Sequence, residues 1–244
     1  YSISLNIFCY NDNFKIFYLN IIKFIKNLKI DKVIFKLKLN ELKDSLKNIK
    51  KKIPWKYLDI LLNEKNFRYD YSVEVLLNEF KNLSFNKLND YKNNIFNKPL
   101  QIFCYGNVDK KNLPNFNDFN ENLKIKIPSK VKYSKSNSFK ITHPNKKEKN
   151  NCVQILYYCY SGFKKYKKIL LVYFLRTIIS QPFYDKLRTK EQLGYLVNFD
   201  IKIIGDKVYI SQKIQSEFDV NVIIKKINSF NKTFFDEIKN MSTK

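Results

Sequence analysis

The sequence predicts an α+β protein, with helices packed on one face of mostly antiparallel sheets. Three observations lead there. Apolar residues recur at helical spacing over long stretches, and short alternating or wholly apolar runs bounded by turn residues interrupt them. A strand-then-helices order appears twice along the chain, the second time with a hairpin.

The elements follow in order. Ser2 to Tyr10 alternates as a strand does, and Asn11-Asp12-Asn13 is the turn behind it. Phe17, Ile21, Phe24, Ile25 and Leu28 share one helical face, which predicts an amphipathic helix over about 14–29. Asp31 is an N-cap for a second helix, marked by Ile34, Leu37, Leu42 and Leu46 and ending in a lysine-rich turn near Lys52. Pro54-Trp55 opens a short helix through Leu62. Asp70 caps another through Phe80, and a further helical stretch reaches about Ile95. Pro99 introduces a strand, Leu100 to Tyr105, closed by Gly106-Asn107.

From Pro114 to about Asn150 the periodicity fades and Asn, Lys, Ser and Pro dominate, with short strands expected at Leu123 to Ile127 and Phe139 to Ile141. Beyond it come an apolar strand at Val153 to Tyr160, a helix over Lys164 to about Ile179, and a separate helical segment from Pro182 to about Gln192. Tyr195 to Ile203 and Val208 to Gln215 form a hairpin turning at Ile204-Gly205-Asp206, and Val220 to Met241 is a helix. The expected division is a domain over 1–112, a linker over 113–149 and a second domain over 150–244. The opening at Tyr1 without methionine, and the stop just after an amphipathic run, are expected of a piece of a longer polypeptide.

Composition narrows the function classes. Hydrophobic residues at 44% and aromatics at 16% are enough for a substantial core. The formal charge of +24 raises nucleic-acid binding as an alternative, because clustered cations neutralise phosphates. The residue types argue against it. Arg68, Arg176 and Arg188 are the only arginines among 46 basic residues, and the planar Arg fork is what reads phosphate and guanine bidentately. The chain has no alanine and abounds in Lys, Asn, Ile, Phe and Tyr, the pattern an AT-rich codon bias leaves, with lysines as a solvated coat. Cys9, Cys104, Cys152 and Cys159 lie far apart with no paired spacing, as buried free thiols would. The longest apolar run, Ile169 to Leu175, is too short to span a bilayer.

Metal and triad chemistry are poorly served. His143 is the single histidine, whereas a zinc peptidase helix needs two imidazoles and a carboxylate. Its Pro144 neighbour and loop setting also exclude it as a triad base. Gly106, Gly162, Gly194 and Gly205 are the only glycines, so no Gly-rich phosphate loop exists. The chain by itself is expected to be catalytically inert.

One stretch is dense with signal. Leu187-Arg188-Thr189-Lys190-Glu191-Gln192-Leu193-Gly194-Tyr195, on a helix feeding a strand, resembles the L-R-T-x-E-Q-L-G-Y signature of the insulinase/pitrilysin metallopeptidases. Ile214-Gln215-Ser216-Glu217 is similar to the same family's IQSE at the end of the partner strand. Asn150-Asn151-Cys152 before an apolar strand, and the Gly106-Asn107 turn, also match the family's pattern. The resemblance is specific over 150–217 and weak elsewhere.

The resemblance implies an insulinase-like fold of homologous α+β domains, whose N-terminal half carries an HxxEH zinc site and whose C-terminal half carries none. This chain looks like the latter. Carried over by position, Arg188 and Tyr195 would contact the peptide substrate near the scissile bond. A guanidinium and a phenol are both donors, suited to substrate carbonyls and to charge developing on the attacked oxygen. Glu191 and Gln192 are expected to pair or buttress locally, Leu187 and Leu193 to be core, and Gly194 to be a permissive helix end. This chain departs from the family's pattern at Asn198-Phe199-Asp200, where relatives often place small residues after the motif strand, which bears on chamber shape and substrate preference. The implied function is the non-catalytic, substrate-binding portion of a zinc-dependent metalloendopeptidase. Its partners would be the N-terminal catalytic half, which brings the zinc, and oligopeptide substrates. A non-proteolytic scaffold of the same fold, like the mitochondrial processing peptidase relatives, is the other reading the resemblance allows.

Overall fold

The computed structural model describes residues 4–10, 13–66, 70–95, 103–107, 138–162 and 165–241. It is an α+β structure with seven helices and a three-stranded antiparallel sheet among those residues. Contacts divide the chain into two compact units, Tyr1–Leu46 with Val73–Pro128, and Lys47–Ser72 with Ser129–Lys244. Residues 47–72 therefore group with the second unit, although sequence order alone places them in the first. Most of the expected linker, from 113 to 137, lies outside the described residues.

The first unit is helical. Helix α1 (Phe14–Asn27) is followed by α2 (Lys32–Ile49), most of which belongs here. Asp31 caps α2 as expected, its Oδ1 accepting from the amides of Val33 at 2.6 Å and Ile34 at 3.0 Å. Helix α4 (Val73–Glu79) begins later than a cap at Asp70 implies and ends in a single tight turn, Phe80–Asn82. Ser84 then caps α5 (Phe85–Asn93), with its side chain accepting from the Lys87 amide. Phe35 meets Phe85 edge-on at 5.8 Å, and the Lys92 ammonium donates to the Leu28 carbonyl at 3.0 Å. The strands expected over Ser2 to Tyr10 and Leu100 to Tyr105 do not form in their described parts, 4–10 and 103–105. A strand needs a ladder partner, and none lies beside them among the described residues; Phe8 and Tyr105 are 92% and 93% exposed. Asn11-Asp12, Leu100 to Ile102 and Leu123 to Ile127 fall outside the described residues.

The second unit is built on the sheet, in the order β1-β3-β2, from β1 (Asn151–Ser161), β2 (Leu196–Ile204) and β3 (Lys207–Ser216). The β2–β3 hairpin turns at Gly205-Asp206, and Gly205 takes φ +63°, the left-handed conformation such a turn requires. One face of the sheet carries Val153, Val197, Phe199 and Ile214. Against it pack α6 (Tyr166–Tyr184) and α7 (Val220–Met241), which bring Ile179, Phe183, Ile223, Ile227 and Phe230. Phe183, Ile214, Ile223 and Ile227 are completely buried.

The other face is covered too, by α3 (Pro54–Asn66). Leu62 packs with Ile204, Leu156 and Tyr209 there. Asp59 accepts from Lys202 and from Lys213, each at 2.8 Å. The Trp55 amide, in the first turn of α3 and so without a helical partner, donates to Gln215 Oε1 at 3.1 Å. The helices thus sandwich the sheet, whereas the pattern alone expected one covered face. Phe139 to Ile141 forms no strand, and the Lys65 ammonium stands over the Phe139 ring.

Two expected helices merge. The chain runs unbroken through Pro182 as α6 and then widens into a π-helical segment, Asp185–Lys190. Proline removes one helical hydrogen bond. Packing outweighs that loss, because Ile179, Phe183 and Leu187 are spaced four apart and all enter the core.

Candidate functional site

The site forms where the π-helical segment hands over to β2. Leu187 is fully buried and anchors the segment, and its carbonyl accepts from the Leu193 amide at 2.8 Å. Glu191 N–H reaches back to the Lys186 carbonyl at 3.0 Å, the wide five-residue step of a π-helix. Gln192 then reverses the chain at φ +49°, so the left-handed residue expected at Gly194 is Gln192 instead.

Gly194 has a different task. A Cβ built on it would lie 2.0 Å from the Gln215 carbonyl oxygen and 3.1 Å from Ser216 Cβ. Only glycine lets the two backbones approach this closely. Next to it, Ser216 Oγ donates to the Leu193 carbonyl and accepts from the Phe218 amide, the latter at 3.1 Å. Ser216 is 2% exposed, so without this bond the Leu193 carbonyl would be a buried orphan. The Leu193-Gly194 turn is therefore clamped onto the end of β3. The sequence shows Ser216 only as part of the Ile214–Glu217 match and gives no sign of the contact, which spans 23 residues.

The two predicted substrate contacts flank that clamped turn, Arg188 in the π-helical segment before it and Tyr195 directly after it. Tyr195 is 86% exposed, Arg188 is half-buried, and the guanidinium carbon lies 5.7 Å from the phenol ring centroid. They share one side of the turn, and a stacked guanidinium keeps its N–H edges free while the ring restrains its plane. Among the described residues neither side chain makes a hydrogen bond or ion pair with another residue. Glu191, by contrast, is engaged: Oε2 pairs with Lys226 of α7 at 2.9 Å and Oε1 with Lys186 at 3.5 Å. It straps the π-helical segment to α7. Gln192 is exposed.

The remaining reactive groups lie elsewhere. His143 Nδ1 accepts from the Asn145 amide at 3.1 Å, Nε2 meets the Lys52 carbonyl at 2.9 Å, and the ring stands edge-on to Tyr57. A proton on Nε2 satisfies both bonds, and the ring pins a loop to the approach of α3. Burial pushes the Cys152 thiol up to about 12, and Cys159 is raised by burial as well. Cys9 and Cys104 are exposed rather than buried. Among the described residues no three His, Cys, Asp or Glu side chains gather as metal ligands, and both ring nitrogens of His143 are committed to backbone. These residues do not fit a zinc site. No helix of the described residues is long and apolar enough to cross a membrane.

Comparison with known proteins agrees with this architecture. Residues 174–244 match the family model for PQQ synthase PqqF-like proteins, C-terminal lobe domain 4. That match covers the end of α6, the π-helical segment, both hairpin strands and α7. Insulin-degrading enzyme of Drosophila melanogaster is 25% identical over 234 residues, an alignment covering 88% of this chain and 23% of that protein. The chain spans about a quarter of the length of this curated relative. A C-terminal-lobe domain matched over residues 174–244, a relative 25% identical along nearly the whole chain and the α+β sheet support an insulinase-like C-terminal fragment.

Proposed function

We propose that this chain is the substrate-holding, non-catalytic portion of a zinc-dependent metalloendopeptidase. The observation that carries the reading is the pairing of an exposed phenol with a guanidinium that no acid claims among the described residues, one just after and one just before a turn braced by Gly194 and Ser216. Such donors suit peptide carbonyls and a developing oxyanion, and their support from the sheet holds them in place before substrate arrives. The insulinase-family relationship supplies the rest. The metal and the residues that use it belong to an N-terminal catalytic half, and the shared substrates are oligopeptides.

The test uses the protein that contains both this chain and its zinc-bearing half. Arg188→Ala and Tyr195→Phe should each lower kcat/KM for a peptide by about 10²–10³-fold, the loss expected for one oxyanion donor of about 2.7–4 kcal/mol. Zinc content should stay unchanged. Undiminished turnover in both variants removes the assignment.

A further inference from the structure

The backbone between Arg188 and Tyr195 is built from locally unfavourable choices. The chain widens into the π-helical segment Asp185–Lys190. Gln192 takes φ +49°, the only positive φ outside glycine among the described residues, and there a side chain crowds its own backbone. Glu191 places a carboxylate at the C-terminal end of the π-helical segment, where free carbonyls already carry negative charge. Such features persist only where the surroundings over-determine them, and they gather at sites that need a fixed geometry.

Glu191 supplies that support. Its Oε2 is closed to solvent and forms an ion pair with Lys226 at 2.9 Å, and its Oε1 lies 3.5 Å from the Lys186 ammonium. Lys226 stands on the firmest part of α7, between Ile223 and Ile227, both fully buried. Lys186 stands inside the segment, two residues before Arg188. Leu187 fixes the strip of backbone at one point in the core, and Glu191 fixes a second. Arg188 lies between the two, so together they set the direction in which its side chain leaves the backbone.

We propose that Glu191 is a positioning residue: through Lys226 it aims Arg188 and keeps the guanidinium over the Tyr195 ring. Glu191 itself touches no substrate. This rests on the substrate-holding reading of Arg188, and it adds to that reading the group that directs it. The competing role for an acid here is electrostatic, damping the positive charge of Lys186, Arg188 and Lys190. Charge separates the two roles. Glu191→Gln removes a negative charge and Lys226→Gln a positive one, so an electrostatic role moves turnover in opposite directions. A broken strap moves it in the same direction.

The test measures peptide kcat/KM, zinc content and the urea midpoint in the protein that contains both this chain and its zinc-bearing half. Glu191→Gln and Lys226→Gln should each lower kcat/KM by about 10–100-fold, the order of loss that about 1 Å of misplacement brings, with zinc content unchanged. In an Arg188→Ala background either change should cost less than about twofold, because nothing remains to be aimed. Lys226 is half-exposed and can be replaced without opening the core, so Lys226→Gln carries the test should Glu191→Gln not fold. Effects of opposite sign, or losses that persist in full beside Arg188→Ala, overturn the positioning role and leave the Arg188 reading standing. So does full turnover in both strap variants when Arg188→Ala is impaired. Full turnover in Arg188→Ala itself overturns both readings.

Discussion

Gly194→Ala isolates the clamp on which the site rests. Replacing glycine by alanine ordinarily stabilises a protein by about 0.4–1 kcal/mol when the backbone is compatible, because it restricts the unfolded chain. Gly194 does not adopt a left-handed conformation, so backbone strain does not oppose the change. Contact does. The new methyl would lie 2.0 Å from the Gln215 oxygen, against about 3.3–3.6 Å for an ordinary carbon–oxygen contact. The strands must part by roughly 1.3 Å or more, which endangers the Ser216–Leu193 bond and the Leu196–Gln215 rung beside it. Overpacking costs about 1–3 kcal/mol, and a buried carbonyl left unpaired costs about 1–3 kcal/mol more.

Net of the entropic gain, a loss of about 1–5 kcal/mol is expected, or a fall in Tm of roughly 2–20 °C for a chain of this size. Trp55 is the single tryptophan, and its amide bonds Gln215, the residue that must move. Its fluorescence during urea unfolding is therefore a local as well as a global reporter. A Gly194→Ala protein with an unchanged or raised midpoint would show that the two backbones do not meet here, and the clamp would be discarded.

Three further outcomes follow from the same geometry. Ser216→Ala should destabilise by about 1–2 kcal/mol in the same urea assay, since it removes the partner of a buried carbonyl, and an unchanged midpoint would refute the bond. For Asp59, burial alone would raise the carboxyl, but hydrogen bonds from Lys202 and Lys213 and their charges hold it below its ordinary value of 3.8. Its contribution to stability is full above that ordinary value and fades as pH falls through the lower folded one. Asp59→Asn should therefore lower stability at neutral pH by about 1–2 kcal/mol, discounted for partial exposure, and flatten the acid limb of a Tm-versus-pH curve. A limb of the same steepness in both proteins would sink this. At pH 8, a thiol reagent should modify exposed Cys9 and Cys104 promptly, and Cys152, pushed up to about 12, only on unfolding; prompt modification of a Cys152-only variant would contradict its burial.

Local signals in the sequence were readable where the cause of structure is local. Asp31 caps its helix through its own side chain, Gly205 turns the hairpin, and the apolar spacing of α7 gives its limits at Val220 and Met241. The motif around Arg188 and Tyr195 singles them out as candidates, and the fold brings their side chains together. What sequence order hid depends on contacts across long separations. Asp59 meets Lys213 over 154 residues, so nothing near α3 announces that it covers the second face of the sheet. Pro182 read locally as a helix start, yet the stripe of Ile179, Phe183 and Leu187 holds a single helix through it. Gly194 reads in the sequence as a permissive residue because its neighbour in space, Gln215, is 21 positions away.

The excess of positive charge explains how the few acids are used. With 22 Asp and Glu against 46 Lys and Arg, one-to-one pairing is impossible, and at two structural junctions a single acid serves two lysines. Asp59 joins Lys202 on β2 and Lys213 on β3 to α3; Glu191 joins Lys186 and Lys226, and with them the π-helical segment and α7. This sharing makes the two partners unequal. Removing one lysine leaves the acid with another, whereas removing the acid strands two ammonium groups, one of them the Lys213 side chain at 11% exposure. A largely buried cation without a counter-charge is costly, while a carboxylate with one lysine is still paired. The stability of this strongly basic chain therefore turns on a small number of acids, and one of them, Glu191, braces the same short segment that presents Arg188.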